Sequence, residues 1–338
     1  MSGSVVNSAR LLYADYASIT VVRAPALRFA LASMLGAAVT LGAEGRQPAT
    51  PQTQPPITDN KLFRSEIEIT SVTATVTDKD GHLVHDLPRE AFEVYEDGLR
   101  QTITQFTRDR VPIGLGVLLD ISDSMYGGRI QDARTAVDRF LFDLLDPADE
   151  FFLLAFNHAP RALTGWTREQ HDVQRALAAL KPSGGTAIYD AIADALPIVA
   201  RRSRQRAALL VISDGADTAS TATLRDIRSA LLRSDAFVYA IAIDSPERTP
   251  INTRINPQAL REITNESGGR TEVVQSSAEI ADATARIAEE LNSQYLLGFT
   301  SAKGADGQYH SLRVRVPQGE YRVRARNGYV ATRRGGDR

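Results

Sequence analysis

Residues 116–125 read Gly-Val-Leu-Leu-Asp-Ile-Ser-Asp-Ser-Met, an unbroken apolar run that stops at a carboxylate and then sets hydroxyls at alternate positions. Val117, Leu118 and Leu119 have the continuous hydrophobicity of a strand buried on both faces, as in a parallel sheet covered by helices. Asp120, Ser122 and Ser124 begin where that pattern ends. They therefore fall at the strand's carboxyl end, the edge at which open parallel sheets bind ligands.

The pattern recurs at 209–215, Leu-Leu-Val-Ile-Ser-Asp-Gly, where a second buried-strand run ends in Asp214 followed by glycine. A right-handed doubly wound sheet can set two such strand ends side by side. Between the two segments lies Ser183-Gly184-Gly185-Thr186, whose glycines allow a loop to bring the Thr186 hydroxyl in from the flank. Asp120, Ser122, Ser124, Thr186 and Asp214 together offer two charges and three neutral oxygens. Such a set suits Mg²⁺ or Mn²⁺ better than zinc, which prefers nitrogen and sulfur, and calcium needs more donors. Taken alone, Asp-x-Ser-x-Ser also reads as a loop capping a following helix. Thr186 and Asp214 in matching contexts favour the metal site, while Asp123 and Asp217 read as loop or capping acids.

These five positions resemble a von Willebrand factor type A domain with a complete metal-ion-dependent adhesion site, whose pattern is Asp-x-Ser-x-Ser, then a threonine, then an aspartate. The resemblance covers roughly residues 111–295. It implies that Ser122, Ser124 and Thr186 bind a divalent cation directly or through water, and that Asp120 and Asp214 act largely through water. It also implies that the Asp or Glu carboxylate of a protein partner completes the shell. Asp-Gly-Leu-Arg-Gln at 97–101, the loop at 183–189 and Tyr-Leu-Leu-Gly-Phe at 295–299 look like a bacterial secreted subgroup of such proteins, which extends the likeness on both sides.

Residues 29–41 are an uncharged apolar stretch of signal-core length behind Arg23 and Arg28, with an acceptable cleavage site at 41–43. Residues 1–43 are accordingly expected to be a signal peptide or an N-terminal anchor, which tethers the chain to a membrane if retained. The expected location is the periplasm, the cell envelope or the exterior. Residues 44–61, rich in Pro, Thr and Gln, read as an extended linker. From 62 to 108 the pattern is strand-like through Ile67, Ile69, Val72, Ala74 and Val76, with a turn at 78–81, a helical turn near 87–92 and a hairpin at Asp97-Gly98.

Residues 111–295 alternate short apolar runs with amphipathic stretches. The spacing predicts strands near 113–120, 151–156, 207–213, 236–243 and 271–274, and helices near 129–144, 168–180, 187–202, 222–233, 257–267 and 278–293. Residues 296–330 return to strand patterning, and 331–338 read as a disordered tail. The expected fold is α/β: a doubly wound, mostly parallel sheet flanked by a smaller β-sandwich-like module that the 62–108 and 296–330 strands build together.

The formal charge of −2 gives no electrostatic footprint for nucleic acid. The lack of cysteine excludes disulfides, thiolate catalysis and cysteine-zinc sites. The five histidines show no His-Glu-x-x-His spacing, and no phosphate-loop lysine appears. The basic run at 201–206 is expected to complement a helix end and face water. The leading functional reading is a metal-dependent protein-binding module and not an enzyme. The alternatives are a metal-assisted hydrolase and a structural envelope protein whose metal only fixes loops. No oligomeric state follows from the pattern.

Overall fold

The computed structural model describes residues 69–213, 216–243, 257–276 and 278–332. The expected leader at 1–43 and linker at 44–61 lie outside the described residues, as do Asp214 and residues 333–338 of the tail. The strands are β1 (Ile69–Thr77), β2 (Glu93–Glu96), β3 (Leu99–Gln101), β4 (Ile103–Thr107), β5 (Ile113–Asp120), β6 (Glu150–Phe156), β7 (Pro160–Ala162), β8 (Arg206–Ser213), β9 (Phe237–Ile243), β10 (Thr271–Val274), β11 (Tyr295–Thr300), β12 (Tyr309–Arg315), β13 (Arg322–Ala325) and β14 (Gly328–Val330). The helices are α1 (Gly128–Arg139), α2 (Gln170–Ala178), α3 (Ile188–Ala200), α4 (Leu224–Arg233), α5 (Pro257–Ser267) and α6 (Ala278–Asn292).

A six-stranded sheet runs in the order β10-β9-β8-β5-β6-β7, parallel throughout except for β7. Every residue of β5 and β8 is buried, as their continuous apolar runs require of strands covered on both faces. Side chains alternate between two cores. Leu115, Val117 and Leu119 pack with α1, α2 and α6 residues such as Ile130, Val173 and Ile287. Leu118, Leu209 and Val211 pack with α3, α4 and α5 residues such as Ile192, Ile227 and Ile263. After β5 the chain builds outward through β6 and β7, then crosses back to β8. The direction of winding thus reverses between β5 and β8, which opens a crevice at their carboxyl ends.

Two four-stranded antiparallel sheets, β13-β1-β11-β4 and β14-β12-β2-β3, interleave strands from both ends of the described chain. They share a core of Val72, Val76, Phe92, Val94, Tyr295, Leu297, Phe299, Leu312 and Val314. The Tyr295 hydroxyl donates to the Val84 carbonyl at 2.8 Å. Helix 129–144 ends earlier than its pattern suggests, with a π turn at Phe140–Leu144 after α1. The short strands β7 and β14 carry too few residues for a period-2 signal.

The basic run at 201–206 departs from expectation at its end. Arg206 is buried, and its guanidinium donates to the carbonyls of Val111 (3.1 Å) and Leu291 (3.0 Å) and to the Gln294 side chain. Burial pushes its pKa down to about 10. The apolar residues that follow Arg206 in β8 draw it into the interior, where carbonyls satisfy it.

His310 on β12 is buried between two carboxylates, with Nδ1 2.8 Å from Asp97 Oδ2 and Nε2 3.1 Å from Asp306 Oδ1. The hydrogen bond to Asp97 raises the imidazole pKa above its ordinary 6.5, with help from Asp306. A raised native pKa contributes stability that is complete below about pH 6.5 and is lost as pH rises through the native value. The melting midpoint should therefore fall across the neutral range, and His310→Gln should flatten that slope. Parallel slopes for the two proteins would show that the His310 pKa does not change on folding.

Candidate metal centre

Asp120 closes β5 and is fully buried. Two elements orient its carboxylate. Oδ1 accepts the Ser122 amide at 2.8 Å, and Oδ2 accepts the hydroxyl of Ser213, the last residue of β8, at 2.5 Å. The second bond is a short charge-assisted one, and it spans the crevice between β5 and β8. Ser122 is also buried, and its hydroxyl lies 2.9 Å from that of half-buried Ser124. The main chain then turns through a 3₁₀ segment, Asp123–Met125, held by Met125 in the core. The Ser124 carbonyl accepts Arg129 Nη1 at 2.6 Å.

The Ser122 side chain, which precedes the 3₁₀ turn, makes no cap bond to it.

The Thr186 loop is fastened to the same strand end by main-chain bonds. Asp123 N donates to Gly184 O at 2.9 Å and Ser183 N to Ile121 O at 2.8 Å. Gly184 has φ +79°, a left-handed conformation that side chains disfavour, and a Cβ there would also approach His158 Nδ1 to 3.0 Å. Thr186 is buried. Its amide donates to Thr218 Oγ1 at 3.0 Å, and its carbonyl accepts the amides of Thr218 (2.8 Å) and Ala219 (3.1 Å). Helix α3 follows without a cap of its own. Its first-turn amides go instead to that same downstream loop, Tyr189 N to Asp217 Oδ2 (3.0 Å) and Asp190 N to Ser220 Oγ (3.1 Å), which satisfies donors a helix start leaves open.

Asp120, Ser122 and Ser124 thus share one strand end, and the loop bearing Thr186 is bonded to it. Asp214 lies outside the described residues, although Ser213 before it is bonded to Asp120. Sequence reasoning did not single out Ser213 or Thr218. Each has a short side chain next to a motif residue or a loop turn, and only the tertiary pairing gives it a role. The donor chemistry is all oxygen, with one buried carboxylate beside two paired hydroxyls, and it fits a hard divalent cation.

A second group, Asp78, Asp80 and His82, has donor atoms within 4.8 Å of one another. Asp78 there serves a turn, accepting the amides of Asp80 and His82 at 2.9 Å. The His82 amide is the main cause of its lowered pKa.

Comparison with known proteins bears on the same region. The family model for the von Willebrand factor type A domain matches residues 115–216. Inter-alpha-trypsin inhibitor heavy chain H2 of Mus musculus is 23% identical over 245 residues, covering 66% of this chain and 25% of that protein. The Mesocricetus auratus counterpart is 28% identical over 172 residues, covering 46% and 18%. The chain therefore spans a quarter or less of these relatives' length. Among solved structures, a von Willebrand factor type A protein from Catenulispora acidiphila has TM-score 0.48 at 13% identity, covering 80% of this chain and 76% of that one. BatB from Bacteroides thetaiotaomicron has TM-score 0.45 at 21% identity, covering 53% and 98%. The matched residues run from within β5 to just past β8 of a doubly wound sheet, and this α/β region has the von Willebrand factor type A fold.

Proposed function

We propose that this chain is a metal-dependent protein-binding module. Residues 111–295 form its type A domain, and 62–108 with 296–330 form its β module. Mg²⁺ or Mn²⁺ is held by Asp120, Ser122, Ser124, Thr186 and Asp214, and a position is left open for an Asp or Glu carboxylate of a protein partner. One observation carries this reading. A buried carboxylate stands beside two hydroxyls 2.9 Å apart, at the crevice of the sheet. The bound cation would supply an electrophile for a carboxylate, since two protein carboxylates and neutral oxygens leave it demand for another anion. The Ser213 hydroxyl and Ser122 amide hold Asp120 in place, and Thr218 fixes the peptide of Thr186. Tyr126, 79% exposed and two residues from Ser124, offers aromatic surface to a partner at the rim.

Binding is favoured over turnover by how the neighbouring acids are used. Asp217 accepts Tyr189 N and the Ser220 hydroxyl, and Asp190 accepts the amides of Thr221 and Ala222. Both are spent on loop and helix ends, so neither is poised as a general base. The apolar segment at 29–41 supports an exported or envelope-attached protein.

The test is calorimetric titration of Mg²⁺ and Mn²⁺ into the metal-stripped full chain, beside Asp120→Ala and Thr186→Ala. One saturable site in the wild type, lost in both variants, is the expected result. Saturable binding that persists in both variants would place the metal elsewhere and sink the assignment.

A further inference from the structure

Asp120 and Ser213 close two parallel strands that lie side by side, and the register Leu119↔Ile212 sets one next to the other. Alternation places Asp120 on the face of Leu118 and Ser213 on the face of Val211, and both of those pack into the core that α3 covers. The two polar side chains therefore meet out of reach of solvent, each 0% exposed. The Ser213 hydroxyl donates to Asp120 Oδ2 at 2.5 Å, and the Ser122 amide donates to Oδ1 at 2.8 Å. One donor comes from β8 and one from the loop after β5, so the carboxylate is gripped from two elements.

This grip weighs differently on the two hard cations an oxygen site can take. Ca²⁺ collects six to eight oxygens at about 2.3–2.6 Å and draws on carboxylates that give both of theirs, whereas Mg²⁺ takes octahedral geometry at about 2.0–2.1 Å and keeps several waters beside one or two carboxylates. A short charge-assisted bond draws negative charge toward its donor. Oδ2 is therefore the poorer oxygen for a cation, and chelation through both would turn a buried carboxylate out of the Ser213 bond. The hydroxyl spacing points the same way. Neighbouring ligands of a regular octahedron stand about 2.8–3.0 Å apart around Mg²⁺ and about 3.3–3.7 Å apart at Ca²⁺ distances. The Ser122 and Ser124 hydroxyls are 2.9 Å apart. Their loop resists widening, because Met125 is anchored in the core and Asp123 N is bonded to Gly184 O.

We infer that Ser213 is a positioning residue that sets the metal preference of this centre: by holding Oδ2 of Asp120 it keeps the carboxylate from chelating a large cation, and so favours Mg²⁺ over Ca²⁺. The inference rests on the proposed reading of Asp120, Ser122 and Ser124 as metal ligands. Ser213 acts through Asp120 and supplies no ligand of its own.

The experiment titrates Mg²⁺ and, separately, Ca²⁺ into the metal-stripped full chain by calorimetry, with Ser213→Ala, Ser213→Thr and Asp120→Ala beside the wild type. Melting in EDTA checks that each variant folds, and only heat that disappears in Asp120→Ala is assigned to the site. The wild type should bind Mg²⁺ more tightly than Ca²⁺. Ser213→Ala should move the ratio of the two dissociation constants toward Ca²⁺ by about tenfold or more, and Ser213→Thr, which keeps the hydroxyl, should restore it. If Ser213→Ala melts below the assay temperature, Ser213→Cys, a weak donor of similar shape, replaces it with the same expected direction. A merely structural role would lower the melting midpoint and weaken both ions alike, so the ratio separates the two.

An unchanged ratio in the folded variant, whatever its melting midpoint, would leave Ser213 as a strand-end contact and overturn the inference. A wild type that binds Ca²⁺ at least as tightly as Mg²⁺ would overturn it too, with the site itself left standing. Absence of Asp120-dependent heat from either ion in the wild type would remove the metal reading, and this inference with it.

Discussion

Asp120→Asn is expected to abolish both metal binding and metal-dependent capture of an acidic partner while leaving the fold in place. The asparagine carbonyl can still accept the Ser122 amide. Its NH₂ replaces the oxygen that accepts from Ser213, whose hydroxyl can rotate to become the acceptor. Two charge-assisted bonds become neutral ones, but the cost of burying an anion is relieved, so the metal-free variant should lose no more than about 1–2 kcal/mol. Wild-type protein in Mg²⁺ at about a hundred times its dissociation constant should gain roughly 2.7 kcal/mol by mass action, and the variant should gain nothing. Parallel melts with and without Mg²⁺ read both quantities. A variant whose midpoint still rises with Mg²⁺ as the wild type's does would remove Asp120 from the site. If Mg²⁺ stabilises the wild type yet alters no partner's affinity, the cation only fixes loops.

The doubly wound sheet was legible because its strands are short uninterrupted apolar runs. Residues 113–120 and 271–274 are strands over the predicted spans, and the starts of the other three predicted strands differ by a single residue, while β7 was not predicted. Burial on both faces leaves only one reading for such runs. The Asp97-Gly98 hairpin was legible for a different reason, since that dipeptide satisfies the turn joining β2 to β3. Strand β4, which begins two residues after β3 ends, joins the other sheet beside β11. Alternation assigns a residue to a face and says nothing of which sheet owns the strand.

At the candidate site the sequence marked the oxygens but not what orients them. Asp120, Ser122 and Ser124 announce themselves by spacing. The Ser213 hydroxyl that grips Asp120, and the Thr218 side chain that holds Thr186, act across 93 and 32 residues of chain. Arg206 was misread for the same reason. A basic run looks solvated until the carbonyls of Val111 and Leu291 and the Gln294 side chain, all distant in sequence, arrive around its last member.

The groups around Arg206 lead to the second large effect, at Glu290. This α6 residue is buried. Its Oε1 accepts the hydroxyls of Tyr239 (2.8 Å) and Thr75 (3.2 Å) and pairs with Arg324, and its Oε2 lies 3.2 Å from Arg270. Tyr239 and Arg270 belong to the parallel sheet and its loops, whereas Thr75 and Arg324 belong to β1 and β13. One carboxylate therefore joins the α/β layers to the antiparallel sheets, just before α6 leads into β11. Burial, then the charge of Glu290, drives the Tyr239 pKa well above its ordinary value, so the phenol remains a donor to that carboxylate. Glu290→Ala leaves the Arg324 guanidinium without its anion, Arg270 with Glu272 alone, and two hydroxyls without an acceptor. Removing one partner of such a buried cluster costs about 3–5 kcal/mol, which should appear as a large fall in the urea midpoint. Glu290→Gln keeps an acceptor for Tyr239 and Thr75 but loses the charge, so it should fall between the two. A loss under about 1 kcal/mol in Glu290→Ala would mean that water replaces the carboxylate at little cost. The packing of the two cores against α6 and β11 would then be what holds the units together.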